Sequence, residues 1–322
     1  MATRKNADMG FVDAMLDGLG GPRSAALLGR LDRATPWATL AEPILKLPEY
    51  ANRGAGNPAW DPTLMLKCLM LAKWFNLSDP GLEEALKDRI SFRTFVGLSF
   101  SDKTPDETTF VKFRARLREA KIHDAIFDAV VEHIRGQGLL VREGTMVDAT
   151  IIEAPRGRRG PDGTSTRDAQ ASFTKKHGVT HHGYKGHMAV DLSGIVTDYR
   201  YGTAKEHDSN YIDELTEAET MLVVADSAYS DRGRRRRLRE RGVADAICYK
   251  RNRGQEKLYP WQERFNRAVS KVRARVEHPT AMIKQQMGHR RVRYRGRERN
   301  AFDFALILAA ANLKRSLSLR AA

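Results

Sequence analysis

At Gly136-Gln137-Gly138 the hydrophobic rhythm of the chain changes, and that change constrains the fold more than any other feature. Before it, from about Asp61, apolar residues recur at helical spacing; after it, β-branched residues gather in short runs. A period of 3.6 residues and a period of two commit different side chains to the core, so neither segment can adopt the other's structure by a small shift. The chain therefore reads as α/β: an all-helical domain over residues 1–136 and a mixed-sheet domain over residues 137–322.

Helix starts in the first part are marked by a capping residue followed by proline: Asp61-Pro62, Asp79-Pro80 and Thr104-Pro105, with Thr104 and Glu107 forming a capping box. Leu64, Met65, Cys68, Leu69, Leu71, Ala72 and Phe75 predict one broad apolar face, and Ile126, Phe127, Val130, Val131 and Ile134 predict another. Such a domain either reads DNA in the manner of a helix-turn-helix or serves as a packing or dimerising module. In the second part, residues 139–154 read as extended and residues 155–182 as a polar insertion or mobile loop. Residues 184–192 and 195–204 read as a hairpin turned by Ser193-Gly194. A helix over 208–219, a strand over 221–226, a helix over 231–241 and a strand over 244–250 follow. Three strands and then alternating helices and strands is the order of a ribonuclease-H-like core.

Charge narrows the partners. A formal net charge of +15 attracts polyanions, either nucleic acid or an anionic membrane surface. The most apolar stretch, residues 302–313, is too short to cross a bilayer, and MATRKNADMG lacks the apolar centre of a signal peptide, so a cytoplasmic protein is expected. Cys68 and Cys248 lie far apart and read as reduced, buried thiols. His181, His182, His187 and His207 are too irregularly spaced to make a strong zinc motif.

Three acids carry the chemistry. Asp148 interrupts the strand-like TMVDATIIEA, where an unpaired carboxylate is costly unless a cation compensates it. Asp226 ends the buried run MLVVAD, at the carboxyl end of a strand, where α/β folds place ligands. Glu277 lies in VSKVRARVEHPTAMIK: Val269, Val272, Val276 and Ile283 make a core stripe, and Arg273, Glu277 and Lys284 an adjacent one. Pro279 predicts a kink there. Taken singly, each acid is more simply a salt bridge or a cap; together they predict a metal site for phosphoryl transfer, with hard oxygens suited to Mg²⁺. Among rival carboxylates, which include Glu153, Asp208 reads as a helix cap and Asp191 as a hairpin residue. Arg235 and Arg236 in DRGRRRRLRER, Arg291 and Arg293 in RRVRYRGRER, and Lys185 beside His187 on one strand face are expected on DNA.

LSDPGLEEALKDRISFRTFVGL, TPDETTFVKFRARL, MVDATIIEA, HHGYKGHMAVD, AKEHDS, VVADSAYS and RARVEHPTAMIK, in that order, resemble the DDE transposases of bacterial insertion sequences, specifically the insertion-sequence-five-like group. The resemblance implies Asp148, Asp226 and Glu277 as a metal-binding triad, with Arg273 and Lys284 contacting DNA. Ser270 stands where related transposases often carry tyrosine. The resemblance further implies Mg²⁺, with Mn²⁺ substituting, and a homodimer acting on double-stranded DNA, both terminal inverted repeats and target, at the bacterial nucleoid. Hydrolysis at the element's end would be followed by joining of the freed 3′-hydroxyl. A structure-selective nuclease of the same fold and a domesticated DNA-binding regulator are the alternatives.

Overall fold

The caps expected from the sequence fix where several helices begin, with two shifts. In the computed structural model, which describes residues 23–51, 59–141, 143–158, 162, 164–176, 178–219, 221–274 and 277–320, Asp61 accepts a hydrogen bond from the Leu64 amide at 2.8 Å. Pro62 opens the helix behind it, as expected. At the next start the cap is Ser78, one residue earlier than Asp79, because its hydroxyl reaches the Gly81 amide. At the third, Asp106 displaces Thr104: its carboxylate takes both the Thr109 amide at 2.7 Å and the Thr108 hydroxyl at 2.9 Å, so the Thr104–Glu107 capping box does not form.

The described chain divides into two compact units, one running to His133 and resuming at Ala305, the other covering residues 134–304. The first holds α1 (Arg23–Ala34), α2 (Trp37–Leu45), α3 (Pro48–Ala51), α4 (Pro62–Trp74), α5 (Asp79–Asp88), α6 (Ile90–Val96), α7 (Glu107–Glu119) and most of α8 (Ile122–Gly136). Instead of one apolar face, α4 is buried on all sides, including Leu66, Met70 and Trp74, which makes it the central helix of the unit. Trp37, Trp74 and Phe95 meet edge to face around it, with ring centroids 5.6–6.3 Å apart. Residues 305–320, expected in the catalytic domain, return to this unit instead. Trp74 Nε1 donates to the Ala310 carbonyl at 2.8 Å and Arg30 to that of Leu317. The buried Ala305–Leu313 stretch is thus a core helix, and no described helix is long and apolar enough to cross a membrane.

The second unit is a mixed sheet with helices. β1 (Thr145–Glu153) pairs antiparallel with β3 (Val179–Asp191) and parallel with β5 (Leu222–Ala225), which pairs parallel with β6 (Ala244–Ile247). β4 (Val196–Thr203) lies antiparallel to β3 across the expected Ser193-Gly194 turn, where Gly194 holds a φ of 86°. Asp191 secures that turn by accepting the Ser193 and Ile195 amides, and its other oxygen takes the Val141 amide.

The polar stretch 155–182 is more ordered than a mobile loop, although residues 159–161, 163 and 177 lie outside the described set. It contains β2 (Ser172–Lys176), antiparallel to the first residues of β3. Buried Asp168 fastens it by accepting the Tyr184 hydroxyl at 2.8 Å and the Gly296 amide at 2.9 Å. The helix expected over 208–219 shrinks to a 3₁₀ turn and the single turn α9 (Ile212–Leu215). His207 caps the 3₁₀ turn; Asp208, expected to do so, pairs with Lys185 instead. Together α9 and α10 (Arg232–Glu240) cover one sheet face, burying Val147, Ala189, Val223 and Ala225 against Leu215, Tyr229 and Leu238.

Candidate active site

Sheet register brings two of the three acids together. The last parallel pair between β1 and β5 is Val147 with Ala225, so Asp148 and Asp226 stand next along neighbouring strands, about 5 Å apart in strand spacing. Val147 and Ala225 point into the core beneath α9 and α10, so side-chain alternation turns Asp148 to the opposite face, beside its β3 partner Met188. Asp226 caps the 3₁₀ turn Ser227–Tyr229 by accepting the Ala228 amide at 2.8 Å, which fixes its carboxylate at the strand end.

The two carboxyls differ in environment. Protein atoms enclose Asp148 on most sides while leaving part of its surface open, and burial pushes its pKa up to about 6. The neighbouring Asp226 anion adds to that rise, and the Arg273 guanidinium opposes it. Arg273 sits at the end of α11 (Pro260–Arg273), with Nη2 3.9 Å from Asp226 Oδ2. Expected to meet DNA, it faces the carboxylates and holds their charge in check.

Glu277 is not drawn into this pair. It is exposed and opens a separate short helix, α12 (Glu277–Ala281), beyond residues 275–276; Val276 of the expected core stripe lies outside the described residues. The uninterrupted Arg273–Glu277–Lys284 stripe does not form, because α12 gives way to a π-helical turn, Met282–Gln286, just after Pro279. Pro279 has no amide to donate, so the irregularity expected there is present. Among the described residues, no three histidine, cysteine, aspartate or glutamate side chains are grouped closely enough to hold a metal ion. Lys284 nonetheless reaches the Asp148 region: burial and the neighbouring Lys176 lower its pKa, and Asp148 and Glu153 pull it back up. Lys176, which sequence reasoning passed over as loop, thus belongs to this neighbourhood. Its signal was the alternation of Phe173 and Thr174 ahead of it, masked by the polar composition around them.

The family described as Transposase DDE domain matches residues 140–313, and that described as Transposase domain (DUF772) matches residues 22–116. The chain belongs to the DDE transposases. No solved structure matches it. This transposase therefore acts in DNA transposition and recombination, as a polynucleotidyl transferase with DNA as partner, in a family dependent on divalent metal.

Several cations expected to bind DNA are engaged within the transposase itself. Lys185 is buried, paired with Asp208 at 2.7 Å and donating to the Glu206 carbonyl, because its strand position points it inward. Arg235 is likewise held by Asp245 at 2.5 Å and the Ile247 carbonyl, with its guanidinium 4.1 Å from the Tyr249 ring centre. Arg236, by contrast, is 77% exposed beside Glu240. Arg291 and Arg293 are exposed on the segment whose backbone pairs with Glu153. The histidines do not converge on a zinc site: His181 pairs with Glu153 at 2.7 Å, while buried His187 packs on Tyr211, its ring pKa lowered to about 4 by burial. Cys68 and Cys248 are free and buried, as expected.

Proposed function

We propose that this protein is the transposase of an insertion sequence of the insertion-sequence-five-like group, with a ribonuclease-H-like catalytic core. In this reading it binds the element's terminal inverted repeats, cleaves the phosphodiester at each end and joins the freed 3′-hydroxyl to target DNA, as a dimer on DNA. The observation that carries it is the placing of Asp148, within β1, beside Asp226, just beyond the end of the parallel neighbour β5, within the segment that matches the DDE domain. The spatial strand order β4-β3-β1-β5-β6, antiparallel and then parallel, supports the ribonuclease-H-like reading.

The donor set suits a divalent cation. Asp148 and Asp226 offer only hard carboxylate oxygens, and their mutual repulsion raises the cost of ionising Asp148, which a bound cation would relieve. Asp148 and Asp226 would hold it, with Glu277 the third ligand that the family resemblance implies, Mg²⁺ the expected ion and Mn²⁺ its substitute. When bound, it supplies Lewis-acid stabilisation for in-line displacement at phosphorus. Asp148 must lose its proton to take part. Arg273 favours the ionised form of Asp148 against the effect of burial, and Lys284 presents a cation to the phosphate. Arg236, Arg291 and Arg293 neutralise phosphates farther along the duplex.

The test is incubation of the purified protein and a terminal-repeat duplex with Mg²⁺, followed by resolution of cleaved and joined strands. Asp226→Ala and Glu277→Ala should each abolish both products while leaving duplex binding in place. Cleavage undiminished by Asp226→Ala would remove the assignment.

A further inference from the structure

The cations of residues 250–267 differ from those of α10. On α10, Arg234, Arg235 and Arg237 are neutralised by Asp213 or Asp245. Residues 250–267 carry six lysines and arginines against two glutamates, all six are exposed, and none forms a salt bridge among the described residues. An array of unpaired like charges is a cost to the folded chain unless a polyanion lies over it.

Aromatic rings stand within this array. Tyr259 and Trp261 are 58% and 50% exposed, unusual for rings of this size in a strongly charged surface. Trp261 is not loosely placed: one edge packs on Tyr249 at 5.0 Å between centroids, and Tyr249 in turn rests on Phe265 at 5.2 Å. The buried half of the indole is therefore braced while the other half faces outward. A braced, exposed ring on a segment rich in exposed cations is suited to stacking on a nucleic-acid base while the phosphates meet the charges.

We infer that Tyr259, Trp261 and the surrounding cations bind an unpaired segment of DNA. This rests on the proposal that DNA is the substrate and adds where its unpaired bases lie. Trp261 and Arg273 share α11, twelve residues and so about 18 Å of helix apart at 1.5 Å per residue, and Arg273 in turn reaches to 3.9 Å from Asp226. At about 3.4 Å per nucleotide, the stacked bases lie about five nucleotides from the phosphate under attack. DNA opened near the cleavage point would then be held open by the surface that aligns it.

Fluorescence anisotropy on the full-length protein tests this with a blunt duplex and the same duplex bearing a single-stranded tail of about six nucleotides. The wild type should favour the tailed DNA. Trp261→Ala and Tyr259→Ala should each weaken tailed binding by about tenfold and leave blunt binding unchanged, while Trp261→Phe, which keeps a ring, retains most of the preference. Lys257→Glu, which disturbs no aromatic packing, should weaken tailed binding even if an alanine variant folds poorly. Equal wild-type affinity for both DNAs, or equal losses on both, overturns the inference and leaves the transposase reading standing. A Trp261→Ala protein that loses self-association but keeps tail binding also overturns it, by making the patch a contact between copies. Failure of the wild type to bind either DNA overturns both readings.

Discussion

Replacing Asp148 with asparagine should stabilise the protein while abolishing its chemistry. The carboxyl titrates near 6, against an ordinary value of 3.8, because burial disfavours the anion more than Arg273 supports it. Between those two values the folded chain holds the proton more tightly than the unfolded chain does. Stability is therefore fully retained below about 3.8, falls as pH rises through the window and is lost above about 6. Two pKa units at about 1.4 kcal/mol each set a ceiling of about 3 kcal/mol. Partial solvent access and the lost attraction to Arg273 bring the expected gain of Asp148→Asn to about 1–2 kcal/mol at pH 7.5. That corresponds to a rise in Tm of about 2–8 °C. Urea or thermal unfolding at pH 4 and pH 7.5, followed by tryptophan fluorescence, measures it: the advantage should be near zero at pH 4 and open as pH rises. A divalent cation should reverse the order, raising the Tm of the wild type and leaving that of Asp148→Asn unmoved. An asparagine variant no more stable than wild type at pH 7.5, or an advantage that shrinks with rising pH, would refute the electrostatic reasoning.

Three further outcomes are expected. Arg235→Ala should cost about 2–3 kcal/mol in urea unfolding because it strands Asp245, whereas Arg236→Ala should leave stability within about 0.5 kcal/mol and reduce the salt dependence of duplex binding by about one unit of slope. Asp191→Ala should cost about 3 kcal/mol by the same assay, since it leaves the Ser193, Ile195 and Val141 amides without their acceptor. Trp74→Phe should cost about 1–2 kcal/mol, the loss of one buried hydrogen bond to Ala310, read from the unfolding midpoint.

Much of the second unit was legible because its signals are local. The Ser193-Gly194 turn, the apolar run before Asp226 and the helix of residues 232–240 each depend on residues a few positions apart. Elements were misread where a local signal had a competitor. Asp106, two residues from Thr104, offered a better acceptor to the Thr109 amide, and β2 was hidden because its hydrogen bonds run to β3 rather than within its own polar stretch. That Asp148 lies within a strand and Asp226 just after one was legible from the local pattern. That Glu277 opens a separate exposed helix was not, because extrapolating one helical stripe past Pro279 assumed a continuity the proline removes.

By itself, the sequence determined where the helical period ends, which residues close the principal turn and which aspartates interrupt or end apolar strands. Tertiary structure decided that β1 and β5 lie side by side, so that carboxyls 78 residues apart become neighbours, and that Asp148 is buried enough for its pKa to rise to about 6. It also decided which arginines are neutralised from within, since Asp213 reaches Arg234 from another element, and that the last helix returns to the helical unit. Capping and alternation act over a few residues, whereas strand pairing and ion pairing depend on which distant surfaces are buried together, a choice that only the whole folded chain makes.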